Sequence, residues 1–241
     1  MNLHIVTGGS RGLGQALIKK LIKNGDHVAE ISRNGKLNTA QAKSFPCDFK
    51  TNKDKRVLVE QIFSHFPLDV YSQISLVNNA GMVDPIGYLE QLDEQSIIDS
   101  MMVNLVAPMA LTSAFLMYSQ FFTGRKVIVN VSSGVARYPK ETWAPYCAGK
   151  AGLESLSTIT AAENEGENLT VINYEPGVID TEMQALIRTV PPDHFPDWER
   201  FHDFKTNGEL RNPDEVADHL MKFMFKKDLP AKNFISINDK I

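Results

Sequence analysis

Cysteine is nearly absent. Cys47 and Cys147 are the only two in 241 residues, with neither the paired spacing of a metal clasp nor the density of a disulfide framework, which suits a reducing compartment. The six histidines, at positions 4, 27, 65, 194, 202 and 219, show no close ligand pattern, so no bound metal is expected. Charge of one sign is lacking too. Twenty-five Lys and Arg against 29 Asp and Glu leave a formal net charge of -4 with no long run of either sign, which recommends neither a nucleic acid nor a membrane as partner. No apolar stretch approaches about 18 residues without charged or polar interruption. The chain passes from Met1 straight into a strand-like run, so we expect a cytoplasmic, soluble protein without a removed leader. No repeat, low-complexity segment or linker divides residues 1–241, and one large domain with an ample core is the expectation.

What is present is an alternation of strands and helices. LHIVT (3–7), a glycine-rich turn, a helix from about Leu13 to Lys23 stopped by Asn24-Gly25, and HVAEIS (27–32) make a βαβ start. Further strands are expected at KSFPCD (43–48), SLVNN (75–79), KVIVNVS (126–132), LTVINYE (169–175) and FISIN (234–238), and helices at about 53–65, 94–122, 145–164 and 213–225. Asn212 before Pro213, Asp214 and Glu215 forms a strong helix start. The strands are short, β-branched and almost continuously apolar, as when helices cover both faces of a parallel sheet. The fold class is therefore α/β, a doubly wound parallel sheet of about seven strands in three αβα layers. Residues 181–211 are less regular, with Pro191-Pro192, Pro196, Phe195, Trp198, Phe201 and Phe204. They read as a substrate loop or small helical lid, or as a surface excursion anchored by its aromatics.

TGGSRGLG (7–14) lies between the first strand and the first helix. Without Cβ atoms, Gly8, Gly12 and Gly14 allow a tight turn and close approach of a pyrophosphate to a helix start, although GxxxGxG departs from the usual GxGxxG. Thr7, Gly8, Ser10, Arg11, Gly12, Leu13 and Gly14 are the candidate contacts. At the end of the second strand an acid would accept ribose hydroxyls, whereas Ser32 and Arg33 suit a 2′-phosphate and hence NADPH/NADP+. Arg11 is expected as a second cation for that phosphate, and Glu30 opposes it if strand alternation brings Glu30 to the side of Ser32. Asp48 either accepts from the adenine amino group or caps its loop. Asn79, Ala80 and Gly81, in NNAG, are expected to wall the cofactor, with the asparagines tying turns together.

Tyr146 and Lys150, in YCAGK, stand four residues apart and so share a helical face, a spacing that decides nothing by itself. Ser133 closes an apolar strand 13 residues before Tyr146, and Asn104 interrupts an apolar helix. With TGGSRGLG, NNAG, Asn104, Ser133, YxxxK and the PGVIDT run at 176–181, the chain resembles the short-chain dehydrogenase/reductase family over almost its full length. The resemblance implies a Rossmann-type fold. It makes Tyr146 the proton donor, Lys150 its activator and ribose contact, Ser133 the substrate carbonyl anchor, and Asn104 the support of a proton-relay water. It puts Pro176, Gly177, Val178, Ile179 and Thr181 beside the nicotinamide, and implies a homodimer or homotetramer pairing through helices near 101–122 and 145–164. Serine and tyrosine hydroxyls meet the charge that grows on a reduced carbonyl oxygen, and an ammonium favours the phenolate left behind.

Within the family, NVSSGVARYPKETWAPYCAGKAGLESLS and NYEPGVIDTEMQ are similar to sepiapterin reductase and to bacterial reductases of vicinal diketones such as benzil. That likeness implies a small-molecule carbonyl substrate bordered by Ser133, Trp143, Tyr146 and Met183. Two alternatives stay open, reduction of a 3-oxoacyl group on a carrier protein and a non-enzymatic NADPH sensor. Cys147 reads as a packed thiol, with no histidine beside it in sequence.

Overall fold

The computed structural model describes residues 1–51, 54–227, 229 and 234–240. Seven parallel strands alternate with helices in chain order: β1 (Asn2–Thr7), α1 (Gly12–Lys23), β2 (His27–Ile31), β3 (Ala42–Ser44), α2 (Lys55–His65), β4 (Gln73–Asn78), α3 (Glu94–Met101), α4 (Ala107–Tyr118), β5 (Arg125–Val131), α5 (Ala144–Glu163), β6 (Leu169–Glu175), α6 (Glu182–Ile187), α7 (Trp198–Thr206), α8 (Pro213–Phe225) and β7 (Phe234–Ser236). They pair in the order β3-β2-β1-β4-β5-β6-β7. The order reverses between β1 and β4, which opens a crevice at their carboxyl ends where a ligand can bind.

Alternation along each strand builds two cores. Ile5, Leu76 and Ile128 turn to one face, under Leu58 and Ile62 of α2 and Leu111 and Phe115 of α4. Their neighbours Val6, Val77 and Val129 turn to the other, under Leu13, Leu17 and Leu21 of α1 and Val216 and Leu220 of α8. A parallel sheet covered on both faces needs this near-continuous apolar pattern. The helix starts are local: the Asp54 and Asn212 side chains accept from the Arg56 and Asp214 amides, and Pro213 opens α8.

Several boundaries differ from the pattern. The strand expected at 43–48 covers only Ala42–Ser44, because Pro46 has no N–H to give; the chain still runs along β2 through Phe45 N to Glu30 O at 2.8 Å and Cys47 N to Ser32 O at 3.0 Å. The strand expected at 234–238 ends at Ser236, where Asp239 accepts the Ser236 amide and turns the chain. The expected start of α2 at 53 lies outside the described residues. The helix expected at 94–122 stops at Tyr118, and between α3 and α4 it carries a π-helical turn, Met102–Val106, in which the Ala107 amide donates to Met102 O. The 25 residues Glu94–Tyr118 are long and apolar enough to cross a membrane, but here one face packs on α2 and α5. Residues 181–211 fold as α6, a 3-10 turn at Pro192–His194 and α7.

Candidate active site

The glycine loop closes against the end of β4. Gly8 takes φ +68, and a Cβ there would stand 2.9 Å from Ala80 Cα; a Cβ on Gly14 would run into the Gly8 carbonyl. Thr7 Oγ1 accepts the amides of Asn79 and Ala80, both at 2.9 Å. Asn79 Nδ2 donates to the carbonyls of Thr7 at 2.9 Å and Gly8 at 3.3 Å, so its amide nitrogen ties the loop. Leu13 turns its side chain into the core, leaving its backbone for a ligand. Ser10 is exposed. Arg11, the residue before α1, is extended and gives no side-chain cap. The first-turn amides of α1 therefore stay uncapped at the mouth of the crevice, as an anion-binding start requires.

At the end of β2 and β3 an open pocket of about 540 Å³ is lined by Arg33, Asn34, Pro46, Cys47 and Asp48. Arg33 is exposed there. Ser32 is not part of the lining; its side chain is buried and its Oγ has no partner among the described residues. Asp48 also accepts the Lys50 amide at 3.0 Å, so the loop-cap reading holds beside the pocket one. Arg11 does not line this pocket. Its guanidinium is ion-paired with Glu182 of α6, because the loop passes close to that segment: a Cβ on Gly12 would lie 3.2 Å from Thr181 Cγ2. Glu30 is buried under Gly9 and Gly35 and does not line the pocket. The glycine loop, the uncapped helix start and the pocket holding Arg33 are a set that fits a nicotinamide dinucleotide.

Ser133 follows β5 in a 3-10 turn, with its Oγ 3.5 Å from the Val135 amide and hydrogen-bonded to Tyr146. Tyr146 sits in the first turn of α5, only 7% exposed. Burial pushes its phenol up to about 12, against the hydrogen bond from Ser133 and with a smaller push from Cys147. One turn on, Lys150 is 4% exposed, and burial pushes its ammonium down to about 8. Its Nζ donates to Val131 O at 2.7 Å and lies 5.8 Å from the centre of the Tyr146 ring. Burial is thus the largest influence on the phenol, and the ammonium is held by a backbone carbonyl.

Asn104 lies in the π turn. Its Oδ1 accepts from Met82 N at 3.1 Å, and its Nδ2 donates to Met82 O at 2.8 Å and Ser100 Oγ at 3.1 Å. Asn104 thereby clamps the chain after Gly81 to the helix. A Cβ on Gly149 would lie 2.8 Å from Asn104 Cβ, and one on Gly152 would lie 2.8 Å from Leu105 Cδ2. These two glycines let α5 dock on the π turn. The sequence reading missed them, although two small residues three apart inside YCAGKAG were the available signal.

A third apolar cluster joins Val83, Val135, Trp143, Tyr146, Cys147, Ile187, Phe195 and Phe201, with Met183 packed against it. The aromatics of 181–211 thus meet the candidate catalytic tyrosine. Trp143 stacks on Phe195 at 5.4 Å and 12° and stands edge-on to Tyr146 at 5.7 Å and 77°. Lys140 is ion-paired with Asp197. Cys147 is a buried free thiol whose sulfur accepts the Lys140 amide at 3.5 Å. After β6, Pro176 leads into Gly177 at φ +70. Val178 O accepts Arg211 N at 2.9 Å, and Ile179 bridges to Arg211. This anchorage carries Thr181 across the crevice to Gly12. Among the described residues, no three His, Cys, Asp or Glu side chains gather as for a metal.

The family profile described as short chain dehydrogenase matches residues 2–191. The chain is 36% identical over 230 residues to benzil reductase ((S)-benzoin forming) of Bacillus subtilis, covering 94% of each. It is 29% identical over 230 residues to sepiapterin reductase of Xenopus tropicalis, covering 86% of this chain and 85% of that protein. Among solved structures, that of KRED1-Pglu enzyme superposes with a TM-score of 0.84 at 27% identity, over 98% of this chain and 100% of that one.

Proposed function

The chain belongs to the short chain dehydrogenase family, and from that premise we propose that it is an NADPH-dependent carbonyl reductase acting on an aromatic vicinal diketone of the benzil type or a sepiapterin-like carbonyl. Its family makes it an oxidoreductase using a nicotinamide dinucleotide. The single observation that carries the finer reading is the contact between the buried Tyr146 and an aromatic cluster built by Trp143, Phe195 and Phe201, a site for a flat, uncharged group beside the reacting carbonyl. Relatives named benzil reductase and sepiapterin reductase support it. Arg33 and the uncapped start of α1 support the phosphorylated cofactor.

Bound NADPH would supply the hydride. Ser133 and Tyr146 donate hydrogen bonds to the carbonyl oxygen, where negative charge grows. With its phenol at about 12, Tyr146 still holds its proton at neutral pH and delivers it to that oxygen. Lys150, at about 8, is charged below that pH and steadies the phenolate. Asn104 ties the π turn, on which α5 docks, to the chain after Gly81. In this reading 181–211 is the lid over substrate, and the protein works in the cytoplasm as a homodimer or homotetramer. The exposed Val106 and Met109 on 101–122 and Ile159 on 145–164 support pairing through those helices.

A panel of ketones and diketones, including benzil and sepiapterin, assayed with NADPH and with NADH, tests the proposal. Turnover confined to substrates without an aromatic or pterin flank would reject the substrate class, and equal rates with both cofactors would reject the cofactor preference.

A further inference from the structure

Buried indole N–H groups ordinarily find an acceptor. Trp143 is 4% exposed, and its Nε1 has no partner among the described residues. The residue before it repeats the pattern. Thr142 is 6% exposed with an unpartnered Oγ1, and its backbone sits at φ +65, a conformation that costs free energy in a β-branched residue. The Gly87 amide, donating to Thr142 O at 2.9 Å, helps hold this strained turn. Its effect is to set Trp143 one turn ahead of Tyr146, with the two rings 5.7 Å apart and nearly perpendicular. Among the buried residues of this cluster, Trp143, Tyr146 and Cys147 carry polar side-chain atoms. The phenol is bonded to Ser133 and the thiol meets Lys140, which leaves the indole N–H as the unused donor.

Reduction of a simple ketone needs donors for one oxygen, and Ser133 and Tyr146 supply them. In a vicinal dicarbonyl the second carbonyl carbon is bonded directly to the first, so a substrate seated at Tyr146 carries its second oxygen against the apolar cluster packed on that residue. There it costs free energy unless a donor meets it. We propose that the Trp143 Nε1–H is that donor, receiving the second carbonyl oxygen of a 1,2-dicarbonyl substrate and so selecting it over a mono-ketone of the same shape. The proposal rests on the diketone reading and adds the residue that enforces it. The other cluster members, Val83, Val135 and Ile187 among them, are apolar.

The test compares benzil with deoxybenzoin, which keeps both phenyl rings and one carbonyl but carries CH2 in place of the other. In Trp143→Phe, which retains a ring for Phe195 to stack on, kcat/KM for benzil should fall about tenfold more than that for deoxybenzoin, any loss common to both reporting the altered wall. If Trp143→Phe does not fold, the full chain made with benzothienylalanine at both tryptophans replaces the indole N–H by sulfur at nearly constant shape, and the same selective loss is expected. An equal loss on both substrates, or no loss on either, overturns the donor role. If the unsubstituted protein reduces deoxybenzoin and other mono-ketones but not benzil, the diketone reading falls and this inference with it. Benzil turnover with an unselective Trp143→Phe sinks only the inference.

Discussion

At the scale of single residues, the site couples two groups that burial moves in opposite directions. The phenol of Tyr146 rises to about 12 and the ammonium of Lys150 falls to about 8, because each loses hydration in its charged form. Below about 8 the phenol keeps its proton and its neighbour keeps its charge, the combination that reduction of a carbonyl needs. Tyr146→Phe removes only the hydroxyl, so turnover should fall about 10²- to 10⁴-fold with dinucleotide affinity largely retained. Steady-state kinetics beside a fluorescence titration of cofactor would check it, and near-normal turnover would remove Tyr146 from the chemistry. Arg33 poses a separate question. It lines the open pocket at the end of β2 and stands exposed, so Arg33→Ala should weaken NADPH about tenfold or more and NADH by much less. Equal losses would mean that no 2′-phosphate meets this guanidinium.

At the scale of elements, the docking of α5 on the π turn decides where Tyr146 and Lys150 stand. Replacing a helical glycine by alanine ordinarily stabilises by about 1 kcal/mol. At Gly149 the new methyl group would stand 2.8 Å from Asn104 Cβ, and overpacking of this kind costs about 1–3 kcal/mol. The clash should win. Gly149→Ala is expected to lower Tm and, by shifting α5 against the Asn104 clamp, to lower kcat as well. Thermal melts alongside kinetics measure both, and a raised Tm would show that the interface has slack. Elements also mark where sequence patterns reach their limit. Strand alternation and the Asn212-Pro213 start were readable from neighbours in the chain, whereas the π turn was not, since any apolar helix with one asparagine would look alike.

At the scale of the whole molecule, a buried pair joins β1 to the residue before β2. His4 Nε2 lies 3.4 Å from Asp26 Oδ2, with the Phe225 ring edge-on at 5.8 Å. Burial holds His4 below the ordinary histidine value although Asp26 pulls it up. Asp26, pushed up by burial, is nevertheless held below the usual carboxylate range by His4, Asn24 and the Asn2 amide. A histidine lowered on folding binds its proton more weakly than in the unfolded chain. Stability is therefore lost as pH falls through the ordinary histidine range, where the unfolded state takes up a proton that the folded state refuses. Between pH 7 and about pH 5 the Tm should drop more steeply in the unsubstituted protein than in His4→Gln. Parallel slopes in calorimetry would assign the acid sensitivity elsewhere.

Short-range order alone determined the α/β alternation, the glycine loop after β1, and the Ser133, Tyr146 and Lys150 set, because hydrophobic period, missing Cβ atoms and helical spacing act between near neighbours. Tertiary structure decided what those residues meet. Arg11 faces Glu182 rather than the pocket of Arg33, Gly149 sits on Asn104, and Trp143 lies under Phe195 with an unspent N–H. Each of these contacts joins segments far apart in the chain, brought together only when the sheet and its helices close. Space, burial and charge are then shared among side chains that no local pattern relates.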